Sequence, residues 1–90
     1  MTTNILTAVV TAYIATGHPC ANGAMPRVAY TIAVPRRFVL GSEVIVNGRR
    51  YVAEDRTAQR FDGRFDIFVA NRRDALLWGK KTLKLTVITK

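Results

Sequence analysis

The chain has 90 residues, which corresponds to one domain with a modest hydrophobic core. Hydrophobic residues make up 49% of it and charged residues 22%, values that exclude an intrinsically disordered chain. Fourteen Lys and Arg against six Asp and Glu give a net charge of +8, which favours anionic partners such as nucleic acid, anionic lipid and bacterial cell wall without choosing among them.

Cys20 and His18 are the only cysteine and the only histidine of the chain. A single cysteine cannot form an intramolecular disulfide. An intermolecular bridge stays open, but a buried or merely tolerated thiol is the expected state of Cys20. Two soft ligands fall short of the four that a closed zinc site needs. We therefore expect no metal and no cofactor.

The N-terminal third predicts two strands. Ile5–Tyr13 is rich in β-branched residues and is interpreted as a buried first strand. A signal peptide is not expected, because Met1–Asn4 contains no Lys or Arg, and the apolar run is too short to span a bilayer. After a Gly- and Pro-containing loop over 17–26, Val28–Val34 predicts the second strand, closed by Pro35.

A hairpin is predicted in the middle of the chain. Asn47-Gly48 is typical of a type I′ turn, because both residues tolerate positive φ. Glu43–Asn47 should therefore pair with Arg50–Ala53.

One helix is predicted over 71–78. Asn71 can cap its start, and the charge of Asp74 suits the first turn. Gly79 can end it.

Two further strands complete the pattern. Phe65–Val69 is the first of them. Lys81–Thr89 is the second, and its alternating apolar and polar residues place Leu83, Leu85 and Val87 on one face. Several short strands, a hairpin and one short helix predict a mainly β fold, a compact barrel within a single domain. An OB-fold, an SH3-like barrel and a double-psi barrel all fit this pattern.

Four local motifs narrow the choice. In chain order they are Val10-Thr11-Ala12-Tyr13, Pro35-Arg36-Arg37-Phe38-Val39-Leu40-Gly41-Ser42, Tyr51-Val52-Ala53-Glu54-Asp55 and Arg64-Phe65-Asp66-Ile67-Phe68. Their order and spacing resemble the three-aspartate (3D) domain of peptidoglycan-cleaving lytic transglycosylases. This resemblance covers residues 10–89 and implies a six- to seven-stranded double-psi β-barrel over residues 1–90.

The chain also departs from that family. The position of the first of the three aspartates is Val34, and the segment after the second aspartate is Asp55-Arg56-Thr57-Ala58, without the family's two glycines. Both differences bear on whether catalysis is retained.

The resemblance implies a catalytic pair. Asp66 matches the third aspartate and is the candidate acid/base, with Asp55 as its partner. Asp66 must start protonated, so burial or a neighbouring carboxylate should raise its pKa, whereas Arg56 or Arg64 would oppose that effect. The candidate substrate-binding residues are Thr11, Tyr13, Thr57 and Arg64.

Other polar residues have simpler interpretations. Asp62 precedes Gly63 and is expected to form a turn. Glu54 is expected to be a surface partner of the arginines, and Trp78 to be a core residue rather than a sugar platform. The basic doublets Arg36-Arg37, Arg49-Arg50, Arg72-Arg73 and Lys80-Lys81 form either a solvated surface or a site of attraction to an anionic polymer.

Three functions remain open. The first is a lytic transglycosylase acting on peptidoglycan glycan strands, synthesised in the cytoplasm and then virion-associated or released to the cell wall. The second is a catalytically degenerate barrel that acts as a structural module, with virion proteins or further copies of the chain as partners. The third is a small basic nucleic-acid-binding barrel, which only the charge favours. Sequence-specific nucleic-acid binding is not expected, and without aromatic residues between the basic doublets we expect no stacking platform for single strands.

Overall fold

The computed structural model describes residues 1–89. These residues form a closed barrel of six strands, with one short α-helix and a short 3₁₀ turn at Gln59–Phe61. The elements are β1 (Thr2–Tyr13), β2 (Thr31–Val34), β3 (Glu43–Val46), β4 (Arg49–Arg56), β5 (Phe65–Phe68), α1 (Arg72–Trp78) and β6 (Lys81–Thr89). The prediction of a mainly β barrel with one short helix is confirmed.

The barrel consists of two halves, β1–β3 and β4–β6, whose strands are connected and paired in the same way. Their order around the barrel is β1-β5-β2-β4-β3-β6. Exchanging β1, β2 and β3 with β4, β5 and β6 leaves this ring unchanged, and it also exchanges the parallel pair β1/β5 with the parallel pair β2/β4. The topology therefore has an approximate two-fold axis that passes between the antiparallel neighbours β2 and β5.

The predicted hairpin joins β3 to β4. Asn47 and Gly48 have φ values of 51° and 77°, as a type I′ turn requires. Glu43 lies opposite Val52, and Val46 lies opposite Arg49, so the predicted pairing is confirmed.

The core is built by alternate residues of all six strands. On β6 the predicted apolar face is confirmed, because Leu85 and Val87 are fully buried and Leu83 packs against the same cluster. The core side chains are Val10, Ile32, Val34, Phe38, Val44, Val46, Tyr51, Ala53, Phe65, Ile67, Leu85 and Val87.

The expectation of a buried first strand is wrong for most of β1. Only Val10 among its residues is buried, and the strand starts earlier, at Thr2. Residues 2–9 pair with β6 alone, whereas β5 pairs only with residues 10–13. Two thirds of β1 therefore extends beyond the part of the barrel that has a strand on both sides.

The second strand is shorter than predicted. It begins at Thr31, because the N–H of Thr31 donates to the carbonyl of Arg27 at 3.0 Å and closes a turn. Ala29 lies inside this turn and has a φ of 63°. The apolar character of this stretch did not reveal the turn.

The helix α1 agrees with its prediction. The Asn71 side chain accepts a hydrogen bond from the N–H of Asp74 at 2.9 Å, and Gly79 follows the last turn with a φ of 72°. Trp78 packs against the core, and its indole N–H donates to the carbonyl of Val10 at 3.1 Å, which confirms its core role. Within residues 1–89, no helix is long and apolar enough to cross a membrane.

Candidate active site

Four residues form one row across neighbouring strands of the barrel. Asp66 on β5 lies opposite Thr11 on β1 and opposite Ala33 on β2. Ala33 in turn lies opposite Asp55 on β4. Phe65, next to Asp66, is fully buried in the core, so Asp66 itself faces the outside of the barrel. The row crosses the approximate two-fold axis between β2 and β5.

A β-bulge brings Asp55 into this row. Ile32 lies opposite Ala53, but the next residue, Ala33, lies opposite Asp55, so Glu54 is the extra residue on β4. Without the bulge, strict alternation would place Asp55 on the core face, on the same side as Ala53. The bulge therefore places the second carboxylate on the outer face, near Asp66.

Asp66 is half-buried and has a raised pKa. Burial is the main cause, the Arg64 guanidinium opposes it, and the negative charge of Asp55 adds to it. Burial thus outweighs the arginine. Thr11 donates a hydrogen bond from its hydroxyl to Oδ1 of Asp66. No other donor among residues 1–89 bonds to the Asp66 carboxyl group, so its second oxygen is open to a ligand.

Asp55 is held much more tightly. Its Oδ1 accepts hydrogen bonds from the backbone N–H of Ala21 at 3.0 Å and of Arg56 at 2.9 Å. Its Oδ2 accepts from the Tyr13 hydroxyl at 3.4 Å. Asp55 therefore fastens the loop over 14–30 to the barrel, in addition to placing a negative charge near Asp66.

Tyr13 and Cys20 form the wall beside Asp55. The Tyr13 ring packs edge-on against Phe68 with a centroid distance of 5.4 Å. Burial, and then the charge of Asp55, raises the pKa of the Tyr13 phenol, so it stays protonated and donates. Cys20 is a buried free thiol, as predicted, and burial together with Asp55 and Glu54 raises its pKa. A thiol in this state is a weak nucleophile.

The basic residues near the row differ in where they point. The Arg56 guanidinium donates to the carbonyls of Pro35 at 2.9 Å and of Phe38 at 2.5 Å, and so is engaged in fixing that turn. Arg64 lies over the Phe61 ring at 4.6 Å and acts electrostatically on Asp66. Among the predicted site residues, Thr11, Tyr13, Asp55, Arg64 and Asp66 are therefore brought together.

Thr57 lies apart from this group. Its side chain is buried, and its hydroxyl has no hydrogen-bond partner among the described residues. A ligand could reach this hydroxyl only after a local rearrangement.

The location of Glu54 differs from its prediction, and the location of Val34 bears on the family resemblance. Glu54 does pair with an arginine, Arg27, at 3.7 Å, but its predicted surface location is wrong because only 5% of the residue is exposed. It accepts hydrogen bonds from the Thr31 hydroxyl at 2.7 Å and the Asn22 amide at 3.2 Å. Val34 is fully buried in the core and does not face the row of carboxylates.

The Asp62 prediction is extended by the structure. The residue lies in a turn before Gly63, as expected, but its Oδ1 also accepts from the N–H of Arg36 at 3.1 Å. It therefore links two loops that are 26 residues apart in the chain.

A groove of about 380 Å³ lies away from the carboxylates. Its lining includes polar as well as apolar side chains, but it contains neither Asp66 nor Asp55 and no other acid. The groove is lined by Asn4, Ile5, Leu6, Arg37, Phe38, Val39 and Thr89. Within residues 1–89, no group of three or more His, Cys, Asp or Glu side chains could hold a metal ion.

Comparison of the chain with protein-family models finds no match, and comparison with curated proteins finds none either. Any function for the site must therefore be argued from its own chemistry and from the motif resemblance.

Proposed function

We propose that the protein is a lytic transglycosylase that cleaves peptidoglycan, with Asp66 as its acid/base. The observation that carries the proposal is the state of Asp66. Its carboxyl group is half-buried, its pKa is raised, and one oxygen is open toward the outside of the barrel. A general acid needs this combination, because a raised pKa favours its protonated form and an accessible oxygen can reach the substrate.

The reaction requires a single acid/base. The Asp66 carboxyl group protonates the glycosidic oxygen between N-acetylmuramic acid and N-acetylglucosamine, and that bond breaks. The resulting carboxylate accepts the proton of the muramic acid 6-hydroxyl, whose oxygen attacks the anomeric carbon. The products are a 1,6-anhydro-muramic acid end and a free N-acetylglucosamine end. Water takes no part, so the second carboxylate that ordinary glycosidases use to activate water is not required.

The neighbours of Asp66 support both of its roles, first as the acid and then as the base. Asp55 contributes negative charge that favours the protonated acid before cleavage. Arg64 favours the carboxylate that exists after proton transfer. Thr11 holds one carboxyl oxygen through a hydrogen bond, which leaves the other oxygen directed toward the substrate. Asp55 is thus a positioning residue in this proposal, since its own oxygens are bonded to Tyr13, Ala21 and Arg56.

A second candidate is a barrel that has lost catalysis and serves as a structural or binding module, for example in a virion. The observation in its favour is Val34. A valine in the core occupies the position of one family aspartate, so this chain cannot assemble the full set of three carboxylates.

Digestion of purified peptidoglycan, followed by mass spectrometry of the released fragments, tests the proposal. We expect 1,6-anhydro-muropeptides at some pH between about 4 and 8, the range that spans carboxyl pKa values. Asp66→Asn should lower their release by about 10²–10⁴-fold, because an amide neither donates nor accepts the catalytic proton. Asp74→Asn, on the exposed helix, is the matched control and should retain activity.

Two results would contradict this scheme. Absence of anhydro products from the wild-type protein across the pH range would favour the structural module. An Asp66→Asn variant as active as the wild type would move the chemistry to another carboxylate, with Asp55 the next to be substituted.

A further inference from the structure

The helix α1 presents two adjacent leucines to solvent. Leu76 is 70% exposed and Leu77 is 73% exposed, and apart from Met1 they are the most exposed large hydrophobic side chains of the described residues. Single exposed leucines are common on protein surfaces, but a neighbouring pair at this exposure on a small domain indicates a binding role. We refer to these two residues as the leucine pair.

Four basic residues flank the leucine pair. Arg72 and Arg73 open the helix, one turn before the leucines, and Lys80 and Lys81 follow its end. All four are exposed. Asp74 is the single acid between residues 72 and 81, so the segment carries a net charge of +3. We refer to the four cations as the basic frame.

The fold keeps the leucine pair turned outward. Trp78 packs on the core side of the helix, and its indole N–H donates to the Val10 carbonyl at 3.1 Å. The ammonium group of Lys81 lies 3.9 Å from the centre of the Trp78 ring, which fixes one side of the basic frame. Because the helix contacts β1 through this opposite side, the leucine pair cannot turn into the core without releasing Trp78.

We propose that the leucine pair and the basic frame form a membrane-surface site, by which the protein binds peripherally to an anionic lipid bilayer. The leucines enter the boundary between headgroups and acyl chains, and the four cations contact the lipid phosphates. Long Lys and Arg side chains suit this arrangement, since their stems lie along apolar surface while their charges stay in the headgroup layer. This proposal does not depend on whether the chain cleaves peptidoglycan.

Charge complementarity and shape favour a bilayer over other anionic partners. The leucine pair projects from a short helix, whereas a protein partner would bury a broad patch of about 800 Å² on each side. Nucleic acid would use the basic frame but would leave the leucines in water. A bilayer is the anionic partner that satisfies both the apolar tip and the surrounding cations.

Co-sedimentation with large vesicles tests the site. We expect binding to vesicles of equal parts phosphatidylglycerol and phosphatidylcholine, and much weaker binding to phosphatidylcholine alone. Replacing both leucines with serine should weaken binding to the anionic vesicles by about 10–100-fold, since two exposed apolar side chains no longer enter the lipid. The double substitution Arg72→Gln and Arg73→Gln should weaken it by about 25-fold, at about fivefold for each cation.

Matched variants distinguish the site from general surface effects. Ile5→Ser with Val39→Ser removes two apolar side chains that are 65% and 61% exposed elsewhere, and it should leave vesicle binding unchanged. Arg36→Gln with Arg49→Gln removes the same charge from other exposed positions and should cost much less than the change in the basic frame. Circular dichroism shows whether each variant keeps its fold.

The fluorescence of Trp78, the only tryptophan, gives a second measurement. Because Trp78 packs on the core side of the helix, opposite the leucine pair, its emission should stay unchanged when anionic vesicles bind, which would show that binding leaves the helix docked on the barrel. Failure of the wild type to bind anionic vesicles would overturn the proposal. It would equally be overturned if the serine variant bound like the wild type, or if the two charge variants lost affinity equally.

Discussion

The substitution Thr31→Val tests whether the Glu54 network holds the bulge that aligns the two carboxylates. Thr31 is fully buried on β2, and valine has nearly the same shape, so the change removes a hydroxyl without opening a cavity. The hydroxyl donates to Glu54 at 2.7 Å and accepts from the N–H of Arg27 at 2.9 Å. Glu54 stays buried in the variant but has one donor fewer.

The expected loss follows from these two bonds. A hydrogen bond to a charged group contributes about 1.5–3 kcal/mol, and one between neutral groups about 0.5–1.5 kcal/mol. Thr31→Val should therefore lower the free energy of unfolding by about 2–4 kcal/mol. That is a large part of the roughly 5–15 kcal/mol that stabilises a typical domain. For a chain of this size, the melting temperature should fall by about 10 °C or more.

Urea unfolding followed by Trp78 fluorescence, together with thermal melting by circular dichroism, measures the change. Thr7→Val is the control, because Thr7 is exposed on β1 and its substitution should alter stability by no more than about 0.5 kcal/mol. The loop over 14–30 should also become more sensitive to trypsin, since Arg27 and Asn22 are both tied to Glu54. A variant that melts within about 2 °C of the wild type would refute the assigned role of Thr31.

Three further predictions concern charge. The pKa of Asp66 is raised on folding, so its contribution to stability is present below the ordinary value of 3.8 and is lost as pH rises through the raised value. The Asn side chain of Asp66→Asn does not titrate, so the melting temperature of the variant, relative to that of the wild type, should increase as pH rises across this window. Val34→Asp should destabilise the fold by several kcal/mol rather than add a catalytic group, because it places a carboxylate in the core, and urea unfolding measures that loss. DNA binding should be weak, indifferent to sequence and abolished by salt, whereas a submicromolar, sequence-selective complex at physiological salt in a filter-binding assay would indicate the nucleic-acid function.

Local features of the sequence were sufficient to predict several elements. Asn47-Gly48 specifies a turn within two residues, because both must adopt positive φ. Asn71 and Gly79 mark the ends of α1 through contacts within one helical turn. The alternation along β6 identifies its buried face, and the apolar neighbours of Asp66 identify the outward direction of its side chain.

Only the tertiary structure decided how those elements combine into a site. The bulge at Glu54 arises from the pairing of β4 with β2, and it moves Asp55 from the core face to the outer face. The same pairing buries Glu54 beneath the loop over 14–30, while Val34 turns into the core. The direction in which the Asp66 pKa shifts also depends on burial and on charges from distant parts of the chain. Strand register and burial are non-local properties, and a change of one residue in register reverses the face of every later side chain. The sequence could therefore propose Asp55 and Asp66 as a pair, but it could not place them in one row.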